Sequence, residues 1–496
     1  MKKNNKVNVI GGGIAGLSAG IYAQKCGFEA AILEAHSIAG GICTSWKRSG
    51  YLFEGGMHWL AGSSPKAALN KLWRYVGALD DSVKIHYPEP FMEYRHEGTP
   101  IRFYRDIDET ERHWLSLSPA DEKEIRKFCK NIRKVKNLEM PAPELRGVKV
   151  TKKTHPPISM AFSAISAMRM VKSYANISRD EYVNGFKHPG LREILRSCIY
   201  DDMGVAPLFF TLGSLANNDG GFPEGGSLPF ANRMVKTFRD LGGKLLQNTI
   251  AEKVIIDNDK VSGVMVNGKK MSADALIIAS DTMAADRLFD FSLESKWLDE
   301  MRATTSPTMA VFVCLGIDAD LRSYPAHGIY KAFEPLKMDT QTYDYISATN
   351  YANDPVYSPS GKTAMTIQLP GDTYDYWKNI RDEGHYEEEK QKIGAKVIAL
   401  LTKNIPEMEG KVEVCDVATP LTYERYCGNW KGSWMTNMTR DMKMKSYPAK
   451  ITGLEGVYFA GHRMMPPGGI PVALMTGRTA VQYLCRDTDT LFISEE

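Results

Sequence analysis

The sequence predicts an α/β fold in which distant parts of the chain come together in one parallel sheet. Three short apolar runs, of the kind that a sheet covered on both faces buries, occur early, midway and late: KVNVI at 6–10, ALIIAS at 275–280 and GVYFAG at 456–461. Because a chain of 496 residues exceeds one ordinary core, we expect about two to four domains, with other material inserted between these strands.

Two local patterns between the apolar runs predict further elements. Residues 249–280 alternate in polarity around two turn signals, Asp257-Asn258-Asp259 and Asn267-Gly268, which indicates a small antiparallel meander before the midway strand. Residues 118–135 have a helical period, with Ser118 as the cap and Pro119 in the first helical position. The apolar face of that helix comprises Ile125, Phe128, Ile132 and Val135.

Composition and charge indicate a globular protein and exclude several classes. Apolar residues make up 43% of the chain and charged residues 24%, and the net charge of +3 gives no reason to expect a nucleic-acid partner. The eight cysteines show no CxxC spacing, so we expect free thiols in a reducing compartment. No apolar run reaches the roughly 18 residues that a membrane span needs. These features predict a cytoplasmic protein with no metal site.

The beginning of the chain has the pattern of a Rossmann-type βαβ unit. Gly11, Gly13 and Gly16 form a GxGxxG sequence between a strand and a helix, where they allow a tight turn, close approach of a pyrophosphate and close helix–strand packing. Glu34 ends the next strand, FEAAILE, 21 residues beyond Gly13, where its carboxylate can accept hydrogen bonds from ribose hydroxyls. A dinucleotide without a 2′-phosphate is therefore predicted. The predicted site also includes Ile14, Ala15 and Ala35.

A glycine doublet distinguishes between the two common dinucleotides. Gly40 and Gly41, followed by Ile42, let the backbone lie along an extended flavin nucleotide, for which NAD sites have no need. The segment GYLFEGGMHWLAG at 50–62 then resembles a segment that passes the flavin ring in the phytoene desaturase, carotenoid isomerase and retinol saturase family of amine-oxidase-like flavoproteins. The resemblance implies FAD as the cofactor.

The end of the chain is similar to the element that closes the flavin site in that family. VYFAGHRMMPPGGIPVALMTGRTA at 457–480 implies that Gly461 lies on the pyrophosphate side and that Gly469 and Ile470 bring backbone N–H groups to the ring. Amides at a helix start favour the negative charge of reduced flavin. The stretch 217–254 resembles the family's lead into a strand that brackets adenine near Val254.

The resemblance also implies the domain organisation. A Rossmann-type FAD-binding domain would comprise residues 1–75, 217–290 and 450–496, and a mixed α+β substrate domain would be inserted as 76–216 and 291–449. The likeness is strong for the first domain and weak for 76–216 and 291–410, where substrate would be chosen.

Candidate catalytic and substrate-cavity residues follow from the same segments. His58, in GMHW, is the best candidate for a group that delivers or takes a proton beside the flavin, although a lone histidine is more often structural. His462 stands where the superfamily often has an acidic residue, and steadying the cofactor is an alternative to catalysis. Trp59, Tyr200 and Tyr423 fall in segments expected to line the substrate cavity.

The function that the resemblance implies is hydride exchange between the flavin and a C–C unit of a hydrophobic, unsaturated substrate, in either direction. Three alternatives remain: flavin-assisted isomerisation of a polyene or fatty acid, oxidation of an amine, and a lipid-binding protein without catalysis. The sequence has no second GxGxxG, so electrons would pass to or from oxygen or an external carrier. Residues 145–179 contain no acidic residue, and they are a candidate for peripheral contact with an anionic membrane.

Overall fold

The computed structural model describes residues 5–138, 142, 144–152, 165, 167–170, 172–174, 177–198, 205–436 and 445–495. Tyr200 and part of the basic segment 145–179 lie outside the described residues. No helix within the described ranges is both long and apolar enough to cross a membrane.

Strands and helices alternate along the chain. The strands are β1 (Lys6–Ile10), β2 (Glu29–Leu33), β3 (Ser45–Arg48), β4 (Tyr51–Glu54), β5 (Ile85–His86), β6 (Met92–His96), β7 (Thr99–Phe103), β8 (Phe222–Pro223), β9 (Lys244–Leu246), β10 (Lys253–Asp257), β11 (Lys260–Val266), β12 (Lys269–Ser272), β13 (Ala275–Ile278), β14 (Pro307–Thr308), β15 (Ala310–Ile317), β16 (His327–Met338), β17 (Gln341–Asn350), β18 (Thr363–Pro370), β19 (Val412–Ala418), β20 (Met435–Thr436) and β21 (Val457–Phe459). The helices are α1 (Ile14–Lys25), α2 (Ala68–Tyr75), α3 (Ile107–Leu117), α4 (Glu122–Val135), α5 (Arg179–Val183), α6 (Pro189–Cys198), α7 (Ala206–Ala216), α8 (Ser227–Asp240), α9 (Lys296–Thr304), α10 (Tyr374–Asp382), α11 (Tyr386–Asn404), α12 (Pro420–Cys427) and α13 (Ile470–Asp487).

A parallel sheet of five strands, in the order β21-β13-β1-β2-β9, joins the beginning, middle and end of the chain. This confirms the α/β class and the sheet formed from early, midway and late runs. Every residue of β13 and β21 is buried, as expected for strands covered on both faces. One face packs against α1, α8 and α13, and the other packs against the meander of β10, β11 and β12, which is antiparallel as predicted.

A second sheet has seven strands in the order β19-β15-β18-β17-β16-β6-β7. Its pairs are antiparallel except for β6 with β16, which are parallel. Helix α11 packs on one face, and β4 packs on the other through an apolar cluster that includes Tyr51, Phe53 and Phe312. The segment that follows β4 therefore lies between the two sheets.

The amphipathic helix predicted for 118–135 is present with a small difference at its start. Pro119–Asp121 form a 3-10 turn, and the α-helical part, α4, begins at Glu122. All four residues of the predicted apolar face are buried. Proline suits the tighter first turn because it lacks the N–H that an α-helix would leave without a partner there.

Candidate functional site

The loop between β1 and α1 has the geometry that a dinucleotide-binding turn requires. Gly11 has a φ of +101°, a conformation that residues with side chains rarely adopt. A Cβ atom on Gly16 would lie 1.9 Å from the Gly11 carbonyl oxygen, so α1 can pack against the loop only because residue 16 is glycine. The helix N-terminus is thereby fixed at the carboxyl end of β1.

The doublet Gly40-Gly41 lies directly beside this loop. The Gly40 N–H donates to the Gly12 carbonyl at 2.8 Å, and Gly13 and Gly40 form an isolated parallel bridge. Gly40 and Gly41 both have positive φ, at +129° and +60°. The two glycine motifs that the sequence separates by more than 20 residues therefore form one backbone surface, which the half-buried Ile42 follows.

Glu34 ends β2 against the same loop. Its Oε2 accepts a hydrogen bond from the Gly12 N–H at 2.7 Å, and its Oε1 accepts one from the His36 N–H at 2.8 Å. Burial raises the pKa of the Glu34 carboxyl, and these two N–H donors oppose that shift. The next residue, Ala35, is exposed. Thr249 N–H donates to the Glu34 carbonyl, so the segment that leads to the buried Val254 of β10 starts at this end of β2.

The C-terminal element, which follows β21, lies on the other side of the β1–α1 loop. Gly461 follows β21, and its N–H donates to Thr476 Oγ1 of α13 at 3.0 Å. Gly469, with a φ of +92°, precedes Ile470, the first residue of α13. A Cβ atom on Gly477 would lie 2.4 Å from the Ala15 carbonyl oxygen, so α13 crosses α1 at close range. The two ends of the chain thus share one interface.

The protein's own packing does not explain all of these glycines. A Cβ atom on Gly13, whose φ is −70°, would have no neighbour nearer than 3.8 Å. Gly461 and Gly469 have equally open surroundings, but their positive φ of +150° and +92° by itself favours glycine. Helices α1 and α13 begin without a side-chain cap and without an acidic residue in the first turn. Open space beside uncapped helix N-termini suits an anionic group, so these residues fit the pyrophosphate and ring edge of FAD.

His58 lies between the two sheets in an aromatic setting. Gln368 Nε2, on β18, donates to His58 Nε2 at 2.7 Å, which leaves the proton of the neutral ring on Nδ1. The ring centroid of Trp434 is 4.8 Å away and that of Phe312 is 6.4 Å away. Burial lowers the pKa of His58 to about 4, so the imidazole is uncharged at neutral pH.

His462 follows Gly461 and precedes a buried ion pair. Burial, reinforced by the neighbouring Arg463, lowers the pKa of His462 to about 3. Its Nδ1 is buried and has no hydrogen-bond partner within the described ranges. Arg463 Nε and Nη2 donate to the Asp281 carboxylate at 2.8 and 2.9 Å, and both side chains are 1% exposed. Burial alone would raise the pKa of Asp281, but Arg463 holds it below its usual value.

A cavity of about 240 Å³ opens beside the segment that carries His58. Its wall includes Met57, the residue before His58, together with residues of the seven-stranded sheet and of the β5–β8 pair. Most of the lining surface is apolar and aromatic. The lining includes Tyr87, Phe222, His327, Tyr351 and Tyr357.

The predicted cavity residues occupy different environments. Trp59 is 38% exposed, and its ring lies 6.1 Å from that of Phe91. Tyr423 is buried, and its hydroxyl donates to the Gly55 carbonyl at 2.8 Å. This hydrogen bond holds the segment before His58 in place. Neither lines the 240 Å³ cavity, and Tyr200 lies outside the described residues. Contact of these residues with substrate, and of the glycines and Glu34 with FAD, stays a prediction.

The structure also adds polar residues that sequence reasoning missed. Gln368 binds His58, and His327 presents a buried nitrogen at the cavity. Each is an isolated polar residue in an apolar strand or at its start, as in TAMTIQLP. That signal is weak, because isolated polar residues are also common on exposed strand faces.

Comparison with known proteins identifies the family. Residues 14–485 match the family of flavin-containing amine oxidoreductases. The chain is 22% identical to the 4,4'-diaponeurosporene oxygenase of Staphylococcus aureus (strain MSSA476), over 95% of this chain and 96% of that one. It is also 22% identical to prolycopene isomerase 2, chloroplastic, of an Oncidium hybrid cultivar, over 97% of this chain and 83% of that one.

Among solved structures, wild-type putrescine oxidase bound to putrescine aligns with a TM-score of 0.62 at 16% identity, over 97% of this chain and 99% of that chain. The likeness extends to the fold and not to the substrate. Together with the glycine surface formed by the two chain ends, these matches show that the protein is an FAD-dependent oxidoreductase of the flavin-containing amine oxidoreductase family.

Proposed function

We propose that this oxidoreductase exchanges a hydride with a C–C unit of a hydrophobic, unsaturated substrate, introducing or removing a double bond. The observation that carries the proposal is the aromatic cavity next to Met57 and His58. A hydrocarbon substrate offers no charge to bind, so an apolar wall must hold and orient it. Sequence relatives that act on carotenoids support the same class.

Bound FAD supplies the hydride-accepting or hydride-donating atom, and the chain supplies binding, orientation and a dry site. We propose that the N–H groups of Gly13 and Gly469 hold the cofactor and that Glu34 binds the ribose. Gly461, whose N–H donates to Thr476, leaves room for the cofactor. Ile14, followed by Ala15, and Ile470 begin the two helices, and we propose that the N-termini of these helices face the cofactor. Oxygen or an external carrier would complete the electron balance.

His58 is suited to a hydrogen-bonding role more than to proton transfer at neutral pH. Because Gln368 already donates to its Nε2, the ring has no free lone pair with which to take a proton. Its Nδ1–H remains available as a donor. We propose that His58 orients a group at the reacting end of the cavity, and that His462, with its unpartnered Nδ1, contacts the cofactor.

An isomerase is the second candidate, because one relative is named as a prolycopene isomerase. Isomerisation would use the same cavity and the same cofactor, and it would leave the flavin with no net change in oxidation state. The decisive observation is therefore the colour of the flavin during turnover.

Amine oxidation is less well supported by the cavity. An ammonium group would need a carboxylate, and the nearby carboxylates have partners within the protein. Asp354 accepts from the N–H groups of Gly225 and Val356, at 3.0 Å each, and Glu54 Oε1 accepts from Gly56 and Met57. The non-catalytic, lipid-binding alternative does not explain the open space at Gly13.

The test is an anaerobic titration of the FAD-loaded protein with polyenes of the carotenoid type. We expect oxidised flavin to bleach while the polyene loses two hydrogens, or dithionite-reduced flavin to regain its colour while the polyene gains two. A change of double-bond geometry without any flavin change would favour the isomerase. Bleaching by amines with peroxide release in air, and none by polyenes, would contradict the proposal. Gly13→Ala protein, expected to lack flavin, is the control.

A further inference from the structure

His327 is one of two cavity histidines, with His86, whose Nε2 is buried without a hydrogen-bond partner among the described residues. It is the first residue of β16, and its Nδ1 lies 3.1 Å from Oγ1 of Thr349, its partner on β17. The side chain is 8% exposed, yet its Nε2 has no hydrogen-bond partner in the described part of the chain. An unpartnered buried nitrogen costs stability, and at the wall of a cavity a ligand atom can supply the missing partner.

The surroundings of His327 are those of a ligand wall. Its ring lies 5.4 Å from the ring of Phe91 and 5.1 Å from that of Phe222. Tyr351 and Tyr357 stack on each other at 4.1 Å and contribute to the same cavity. The cavity thus offers aromatic faces for a hydrocarbon chain, with His327 as a hydrogen-bonding group among them.

Charge near the cavity favours an uncharged partner. Burial lowers the pKa of His327 to about 3, so the imidazole is neutral and can donate or accept one hydrogen bond. Arg105 is close, and its Nε and one N–H of each terminal nitrogen donate to the carbonyls of Pro88, Asp219 and Gly220. A carboxylate ligand would therefore compete with these carbonyls for Arg105.

An ammonium ligand is also disfavoured at this cavity. At the β5–β8 pair, His86 Nε2 lies 3.8 Å from Glu224 and 3.9 Å from Asp354, so it is near both carboxylates without a hydrogen bond to either. Asp354 and Glu54 are bound to backbone N–H groups, as described above. An uncharged oxygen is the partner that neutral His327 can satisfy without an unpaired buried charge.

We propose that His327 Nε2 hydrogen-bonds a hydroxyl or carbonyl oxygen at one end of the substrate, so that the substrate class is an apolar polyene with a terminal oxygen function instead of a plain hydrocarbon. This inference rests on the proposed function, because it places the substrate chain in the same cavity. His327 is then a residue that sets specificity, without a part in the chemical step.

The test compares binding of a polyene alcohol with that of the hydrocarbon of the same length and unsaturation. The FAD-loaded protein is titrated anaerobically, and quenching of tryptophan fluorescence gives the two dissociation constants. The amine and carboxylate analogues are titrated in parallel. We expect the alcohol to bind about tenfold more tightly than the hydrocarbon, which corresponds to one net hydrogen bond.

Variants assign the preference to one side chain. In His327→Phe, which keeps an aromatic ring, the preference should fall to about one, with FAD content and thermal midpoint as checks on folding. His327→Gln keeps a hydrogen-bonding group and should retain part of the preference. His385→Phe, at an exposed histidine, is the matched control and should leave it unchanged.

Several outcomes would overturn the inference. Equal binding of alcohol and hydrocarbon by the wild type would do so without any variant, as would tighter binding of the amine or the carboxylate. If folded His327→Phe kept the full preference for the alcohol, a different residue would be responsible for that preference. Polyenes that react with the flavin but show no alcohol preference would defeat only the His327 assignment. Absence of any polyene binding would overturn the proposed function as well.

Discussion

The five-stranded parallel sheet and the seven-stranded sheet solve two different recognition problems. At the parallel sheet, we propose that glycines and helix N-termini present backbone N–H groups to FAD. At the seven-stranded sheet, side chains such as His327 and Thr349 line a cavity, which we propose for the substrate. Backbone recognition needs glycine at fixed positions and so leaves a motif, whereas side-chain recognition has many equivalent solutions.

The largest expected effect on stability comes from adding one methyl group beside the five-stranded parallel sheet. Gly16→Ala would place a Cβ atom 1.9 Å from the Gly11 carbonyl oxygen, and both groups belong to rigid backbone. We expect little soluble protein, or a loss of at least about 3 kcal/mol in the free energy of unfolding. Thermal melting of the apo-protein checks this. A wild-type melting curve would mean that α1 does not pack on the loop as described.

Breaking the buried ion pair next to the C-terminal element should be nearly as damaging. Asp281→Ala leaves the Arg463 charge buried without its carboxylate and should cost about 3–5 kcal/mol, measured by denaturant unfolding. Lys362→Ala, which breaks a partly exposed pair with Glu413 at the seven-stranded sheet, should cost at most about 1 kcal/mol. Equal losses in the two variants would remove the distinction between the two regions.

Gly13→Ala separates cofactor binding from folding. The added methyl group would contact nothing nearer than 3.8 Å in the protein, so the melting of the apo-protein should not change. It would occupy space assigned to the pyrophosphate, so affinity for FAD should fall at least about tenfold. Flavin titration measures this. Unchanged affinity would place the pyrophosphate elsewhere.

Glu34→Ala should weaken FAD binding to a similar or smaller extent. It removes the carboxylate assigned to the ribose and also leaves the Gly12 and His36 N–H groups without their acceptor. We expect flavin to be lost on dialysis while the fold persists, which visible absorbance and circular dichroism would show. Glu34→Gln keeps one acceptor oxygen, so its flavin occupancy after dialysis should lie between those of the wild type and Glu34→Ala. Full occupancy of Glu34→Ala after dialysis would contradict the ribose assignment.

At neutral pH, the smallest effect is expected at the seven-stranded sheet, where His327 makes the free energy of unfolding depend on pH only below its ordinary pKa. Burial lowers the pKa of His327 to about 3, below the ordinary value of about 6.5. The unfolded chain therefore binds the proton first, so the stabilisation is complete above about pH 6.5 and is lost as the pH falls towards 3. His327→Phe should flatten this loss by up to about 1.36 kcal/mol per pH unit. Thermal midpoints across pH measure it, and exposed His385→Gln should follow the wild type.

The sequence predicted the parallel half in detail because sterics determine its residues. The runs at β1, β13 and β21, the GxGxxG turn and the meander are all present where the pattern indicated. Strand β9 was not predicted as the fifth strand, because Lys244–Leu246 is too short to carry a period. The packing of Gly477, in α13, against α1 could not be predicted from the sequence, because the two helices are distant from each other along the chain.

The seven-stranded sheet and its cavity could not be predicted to the same depth. The register of β15 to β19 depends on pairing between segments tens of residues apart, and no single strand encodes it. Tyr423 fell in a segment expected to face substrate, yet its hydroxyl binds the Gly55 carbonyl. A residue type near a cavity does not fix the direction of its side chain, and only tertiary packing decides it.

The central claim is that the two ends of the chain enclose one FAD, which faces an apolar cavity. The most direct measurement is the flavin content of the purified wild-type protein, from its visible spectrum and from FAD released by denaturation, before and after incubation with excess FAD. The account predicts a yellow protein with one non-covalent FAD per chain. A colourless protein that takes up no FAD would contradict it.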